Sequence, residues 1–365
     1  MISRIGPQQY IFSKNAYNYL LKYLGQLSTT KILFLHGKKS LKAAQPFLPA
    51  ELFNFSIIDV FFSGECCYEE INRINRLIEA NHIQLVIGLG GGKVLDTAKT
   101  VAFSKHLGLV LMPTLASNCA PWSSVCVHYK KTGERLDHKT YNSTTNLLLL
   151  HPQVIMHSPL DYFKAGILDT LAKFYETELV FKALHQKREF NIPLENSQRA
   201  AQNCKKVLLK NTLQALFDMQ HKKITAIWQK VVETIIVTSG LVVGWGDQYG
   251  DATAAHSIDD ALTLFPETRK LLHGFRVGYG ILIQLTLENK FSELQKLLVF
   301  FKKIKAPKNL SELGFKNISN SLIFQIAKEA TSPDKTIYFL PLTINQKKLI
   351  SKIQKLEHTA YIKNS

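Results

Sequence analysis

Apolar residues in the first third of the chain fall into four short runs, at 32–35, 57–62, 85–87 and 109–112. Each has the length of a buried strand. Three close on turn chemistry: His36-Gly37-Lys38-Lys39, Gly88 and Pro113. Helical spacing occupies intervening stretches such as 68–80. This alternation predicts a parallel sheet, with ligands beyond the carboxyl ends of its strands, where Gly37, Gly88 and Thr114 fall. Past about residue 160 the strand pattern stops. Apolar positions at 165–184, 197–217, 224–243, 252–264 and 277–291 recur at helical spacing. The expected fold is an α/β domain with a Rossmann-like parallel sheet at 1–158, followed by an all-α domain at 159–365.

Composition narrows the class. The 365 residues suit two domains, and 46% hydrophobic with 20% charged residues suits a globular protein with a large core. Residues 1–10 carry no secretory pattern, and no apolar run is read as long enough to span a bilayer, so no membrane partner is expected. Five cysteines, two of them adjacent, suggest neither a disulfide framework nor a CxxC site, which makes a reducing cytoplasm the default. The net charge of +17 raises nucleic acid as a partner. However, the lysines are scattered, and clusters such as Lys302-Lys303-Lys305 and Lys347-Lys348-Lys352-Lys355 read as solvated helix faces. No aromatic-interleaved basic stripe accompanies them, so nucleic acid is not the expected partner. A positive field still draws anionic substrates and cofactors toward a cleft.

The densest chemistry lies at Gly88-Leu89-Gly90-Gly91-Gly92-Lys93-Val94-Leu95-Asp96-Thr97-Ala98-Lys99. A strand, a glycine loop and a helix N-terminus form an anion site, with a pyrophosphate as natural occupant. It is not a Walker A loop, because Val94 stands where Ser or Thr is needed and Ile87 where the first glycine is needed. It is not G-x-G-x-x-G, whose last glycine would be Lys93. The plain alternative is a tight turn.

In the helical half, Asp169, His256 and His273 are candidate ligands for Zn²⁺ or Fe²⁺. Each has a duller reading: a helix-dipole carboxylate, a core histidine and a helix-end residue. No short H-x-x-x-H spacing ties any two together.

Taken in order, Gly-Gly-Gly-Lys-x-x-Asp-Thr-Ala-Lys, Pro113-Thr114-Leu115-Ala116-Ser117, Ala165-Gly166-Ile167-Leu168-Asp169, Ala254-Ala255-His256 and Leu272-His273-Gly274 resemble the metal-dependent, iron-containing alcohol dehydrogenases. The resemblance covers almost the whole chain and is nearest to the glycerol-dehydrogenase branch. It implies a dehydroquinate synthase-like architecture: a dinucleotide-binding domain, a helical metal- and substrate-binding domain, and an active site between them. It assigns cofactor contacts to Gly90, Gly91, Gly92, Lys93, Asp96, Thr114, Ser117, Ser123, Val125 and Tyr129. It assigns the metal, and with it catalysis, to Asp169, His256 and His273. It also implies a homo-oligomer.

Two departures shift the expected substrate. Cys119 occupies the position of an Asp that contacts glycerol in that branch, and Asp259 the position of a second His. The segment Asn118-Cys119-Ala120-Pro121-Trp122 instead resembles family members that act on hydroxycarboxylates, as do His36-Gly37-Lys38-Lys39 and Tyr338-Phe339-Leu340-Pro341. The expected substrate is a small 2-oxo acid, with a polyol or simple alcohol as the alternative. Lys38 and Lys39 follow the first apolar run with no carboxylate beside them. They would pair with the 2′-phosphate of NADP(H), whereas NAD(H) would suit an acidic residue there; an exposed turn is the bland reading. Arg276 is the candidate cation for a substrate carboxylate, or else a surface salt bridge. Cys119 and Trp122 are candidate substrate-side residues, with core packing the alternative for Trp122. Water, His256 or a cofactor ribose hydroxyl could each deliver the proton.

Overall fold

The computed structural model describes residues 2–27, 31–187, 190–250 and 253–362. Its strands are β1 (Gln9–Phe12), β2 (Ile32–His36), β3 (Ile57–Phe61), β4 (Leu85–Gly90), β5 (Gly108–Pro113), β6 (Val125–Tyr129), β7 (Arg135–Thr140) and β8 (Leu147–Leu150). Six of them form an all-parallel sheet in the order β1-β8-β5-β4-β2-β3. β6 and β7 form a separate antiparallel hairpin.

The four expected strands are β2 to β5. β2, β4 and β8 are buried at every residue, which is why they read as unbroken apolar runs. β1 and β8 escaped notice because four-residue apolar stretches do not distinguish strand from helix. The sheet buries both faces by alternation. Phe34, Ile87, Val110 and Leu149 pack with Leu20 and Leu24 of the helix Ala16–Gly25. Leu33, Leu35, Val86, Leu111 and Leu148 face the other way, into an apolar cluster that continues through the helical half as far as Leu356.

The topology places a crevice. From β2 the chain moves outward to β3; from β4 it moves the opposite way to β5. His36 and Leu89 lie in register, so Gly37 and Gly90 leave the sheet side by side at this switch point.

The main later helices are Leu160–Gln186, Ile192–Gln220, Ala226–Glu233, Ser239–Gly246, Ala254–Leu262, His273–Leu287, Phe291–Ile304, Asn320–Ala330 and Gln346–Ile362. The stretch expected as one helix at 277–291 is the body of one helix and the start of the next. They are divided by a turn at Asn289, whose φ is +57°. Ala252, the expected start of another helix, lies outside the described residues. Ala226–Glu233 and Ser239–Gly246 are joined by a π-turn at Thr234–Thr238. One expectation fails here: the run Ala226–Tyr249 is long and apolar enough to cross a membrane, although 56% of its apolar window is buried inside the fold.

Candidate active site

The glycine loop begins inside β4 rather than after it. The helix Gly92–Ser104 starts two residues beyond Gly90, so the N–H groups of its first turn have no partners within the helix. Glycine at 90 is a packing requirement, because a Cβ there would sit 2.7 Å from Cβ of Val94. The loop thus presses its own helix tightly onto the sheet. Thr114 closes the neighbouring strand end by donating its N–H to the Gly90 carbonyl at 3.0 Å.

Three helices converge in the other half. Asp169 comes from Leu160–Gln186, His256 from Ala254–Leu262 and His273 from the first turn of His273–Leu287. One ligand atom from each lies within 4.8 Å of the others. Asp169 Oδ1 is 3.5 Å from His256 Nε2 and 3.4 Å from His273 Nε2. That oxygen is buried and has no hydrogen-bond partner.

Each imidazole is fixed from behind by a carboxylate. Glu176 Oε2 is 2.6 Å from His256 Nδ1. Its Oε1 accepts the backbone N–H of Thr253 at 2.7 Å and of His256 at 3.0 Å, capping the His256 helix from outside. Asp259 Oδ2 is 2.9 Å from His273 Nδ1, and its Oδ1 accepts from Arg276 Nε at 2.7 Å. Both Nε2 atoms are thereby left to face Asp169. A buried carboxylate oxygen without a donor, opposite two imidazole nitrogens held by carboxylates, could hold a divalent cation.

The electrostatics agree. Burial would lower the pKa of His256, but the Glu176 carboxylate carries it up to about 10. Burial opposes protonation of His273 as well, and Asp259 brings it to about 9. Burial should raise Asp169, yet the two imidazoles hold it well below the ordinary carboxylate range. Three buried carboxylates around one point favour positive charge there.

Gly274 makes the convergence possible. A Cβ there would lie 1.9 Å from the Ala165 carbonyl oxygen, on the helix that carries Asp169. The obstacle is backbone and cannot rotate away. Gly274→Val is expected to cost at least the roughly 1–3 kcal/mol typical of overpacking and to separate His273 from Asp169. Metal retention after dialysis, read beside the melting temperature, checks this; a variant that keeps both at wild-type level contradicts it.

The remaining expected residues are placed as follows. Lys38 and Lys39 are exposed and open a short helix, Lys38–Ala44, rather than a turn. Lys93 is half-exposed, paired with Glu65 at 2.6 Å and 5.2 Å from the Tyr129 ring centroid. Asp96 is turned inward: Oδ1 is 2.9 Å from Lys99 Nζ, and Oδ2 accepts from the Val127 N–H at 3.3 Å. Ser123 Oγ accepts from the Val125 N–H at 3.0 Å. Ser123 and Val125 line a cavity of 590 Å³ with Arg135, Asp260 and Lys335; Asp169, His256 and His273 do not line it. Residues 116–117 rest on Gly166, one helical turn before Asp169, where a Cβ would be 2.4 Å from the Ala116 carbonyl. This brings the segment of Ser117 and the half-buried Cys119 onto the metal-site helix.

One expectation is corrected, and for Trp122 the second of its two readings is supported. Arg276 is 5% exposed and bonded to Asp259 and to the carbonyls of Thr268 and Leu271, so it is neither a surface ion pair nor an open cation for substrate. It holds Asp259, which holds His273. Trp122 is a packing residue: Nε1 donates to the Ile5 carbonyl at 2.7 Å, Tyr10 meets it edge-on, and its ring fills the space left by Gly240. Two residues were given no role in the sequence. Glu176 follows Asp169 by two helical turns on the same face, and Lys99 follows Asp96 by one; those spacings are the signal that could have found them.

The family model for iron-containing alcohol dehydrogenase matches residues 7–152. The chain is 31% identical to hydroxycarboxylate dehydrogenase A of Escherichia coli over 353 residues, 97% of this chain and 96% of the relative. It is 31% identical to a glycerol dehydrogenase of Thermotoga maritima over 287 residues, 78% of each chain. The crystal structure of glycerol dehydrogenase from Schizosaccharomyces pombe superposes with a TM-score of 0.87 at 25% identity, covering 99% of this chain and 91% of that one.

Proposed function

The chain belongs to the iron-containing alcohol dehydrogenase family, and we propose that within it this protein exchanges hydride between NADP(H) and a small 2-oxo or 2-hydroxy carboxylic acid. The observation that carries the reading is the meeting of Asp169, His256 and His273, backed by Glu176 and Asp259. Members of this family are dehydrogenases that use a nicotinamide cofactor and a divalent metal. When bound, the nicotinamide supplies hydride, and the cation supplies Lewis acidity at the carbonyl oxygen.

The chain's own residues set the rest. Asp169, His256 and His273 hold the cation, and their buried carboxylate partners keep both imidazoles in the tautomer that offers Nε2. The first-turn N–H groups after Gly91 receive the pyrophosphate. Residues 117–122, a segment that meets the Asp169 helix at Ser117, carry no acidic side chain, so an acidic substrate meets no repulsion from that segment. Cys66, Cys67, Cys126 and Cys204 are buried thiols, which suits a reducing compartment such as the cytoplasm.

Initial rates of NADPH and NADH oxidation with 2-oxobutanoate, 2-oxoglutarate, oxaloacetate and dihydroxyacetone test the reading, with and without chelator and added Zn²⁺ or Fe²⁺. Metal-dependent NADPH oxidation with an oxo acid is expected. Activity confined to dihydroxyacetone would make this a polyol dehydrogenase and overturn the substrate assignment.

The coenzyme preference rests on Lys38 and Lys39, exposed beside the glycine loop. Replacing both by alanine removes two charge-assisted hydrogen bonds worth about 1.5–3 kcal/mol each, so KM for NADPH should rise by about 100-fold or more. KM for NADH should stay put. Equal changes for the two coenzymes would contradict the 2′-phosphate contact.

A further inference from the structure

Lys99 is completely buried on the glycine-loop helix. An ammonium group is expensive to bury unless its donors are used, and an apolar residue of similar size fills such a space at lower cost. Its ammonium donates to the Ser123 carbonyl at 2.9 Å and the Val125 carbonyl at 2.6 Å, and its charge is paired with Asp96, whose Oδ1 lies 2.9 Å away. Asp96 returns the link by accepting the Val127 N–H. The entry to β6 is therefore bolted to the helix that begins at the glycine loop. Ser123 and Val125 turn another side toward the 590 Å³ cavity.

From this geometry we propose that Lys99 is a positioning residue for the nicotinamide cofactor. It makes the phosphate-side loop, residues 90–93, and the Ser123–Val125 segment one rigid frame, so both parts of a dinucleotide are met at a fixed separation. The inference rests on the nicotinamide reading of this cleft. Lys99 touches neither cofactor nor substrate; it acts through two main-chain carbonyls and Asp96.

The test uses Lys99→Met, which removes the charge, and Lys99→Arg, which keeps it but cannot place a bulkier planar guanidinium where the ammonium meets both carbonyls and Asp96. Nucleotide binding is followed by NADPH and NADH fluorescence on metal-loaded protein, beside metal affinity and steady-state kinetics. Misplacement of a binding frame lowers affinity on the order of 10- to 100-fold, and that rise in Kd is expected for any variant that melts cooperatively. Metal affinity, and kcat at saturating cofactor, should remain near wild type, a split that general loss of structure would not produce. Wild-type Kd in a folded variant overturns the inference, as does an equal loss of metal and nucleotide binding. If the wild-type chain binds neither nucleotide, the nicotinamide reading itself fails and takes this inference with it.

Discussion

Replacing His273 with alanine is expected to lower kcat/KM by about a thousandfold or more, because Lewis-acid stabilisation of the developing charge is worth several kcal/mol. NADPH binding should be unaffected. His273 is one of the three proposed ligand side chains, and its Nε2 lies 3.4 Å from Asp169 Oδ1. Its removal leaves two ligands and an Asp259 carboxylate bonded to Arg276 alone. The glycine loop belongs to different elements and keeps its geometry. Metal content after dialysis, kcat/KM and NADPH fluorescence should be measured on the same preparation. Wild-type turnover in the variant would sink the metal assignment, and joint loss of nucleotide binding would show that the two regions are not separable.

Glu176→Gln is expected to separate folding from metal binding. The wild-type carboxylate serves three donors: the N–H groups of Thr253 and His256 through Oε1, and His256 Nδ1 through Oε2. A glutamine keeps its carbonyl oxygen on the two backbone N–H groups and turns its NH₂ toward Nδ1. The imidazole must then accept at Nδ1 and carry its proton on Nε2, the atom that faces Asp169. Loss of an outer partner of this kind typically lowers metal affinity about 10- to 100-fold, while the melting temperature without metal should change little. Glu176→Ala instead strands the donors, at about 1–3 kcal/mol for each buried group left unpaired, and should destabilise the fold outright. Equal metal affinity in wild type and the glutamine variant would remove Glu176 from the site.

These effects could be read in the sequence only in part. β2, β4 and β5 were legible because a doubly buried strand is an unbroken apolar run, and the edge strand β3 because only Asp59 interrupts its apolar residues. The glycine loop was legible because backbone crowding against Val94 excludes other residues. The three candidate ligands were offered by residue type and joined into one set by resemblance, since no local spacing connects residues 169, 256 and 273. Their convergence is a tertiary fact, set where Gly274 meets Ala165. Arg276 was misjudged for a related reason. An arginine three residues after a ligand looks equally able to face substrate or interior, and only the positions of Asp259 and of the Thr268 and Leu271 carbonyls decide. The hairpin of β6 and β7 was missed because β7 is mostly polar and exposed, leaving little apolar alternation to detect.

The apolar cluster that begins on one face of the sheet and ends at Leu356 has an architectural consequence. Cutting the chain after the last strand would leave the helices Tyr68–Asn81 and Gly92–Ser104 on that face of the sheet but strip the cluster of every later helical member, and would uncover Ala116, whose carbonyl rests on Gly166, and Trp122, whose ring rests on Gly240. The nucleotide half is therefore not a portable module that could be grafted onto another partner. Sequence change on either side of the cleft must be accommodated by the other, so altered substrate choice has to be achieved through loops and single side chains, not by exchange of whole domains.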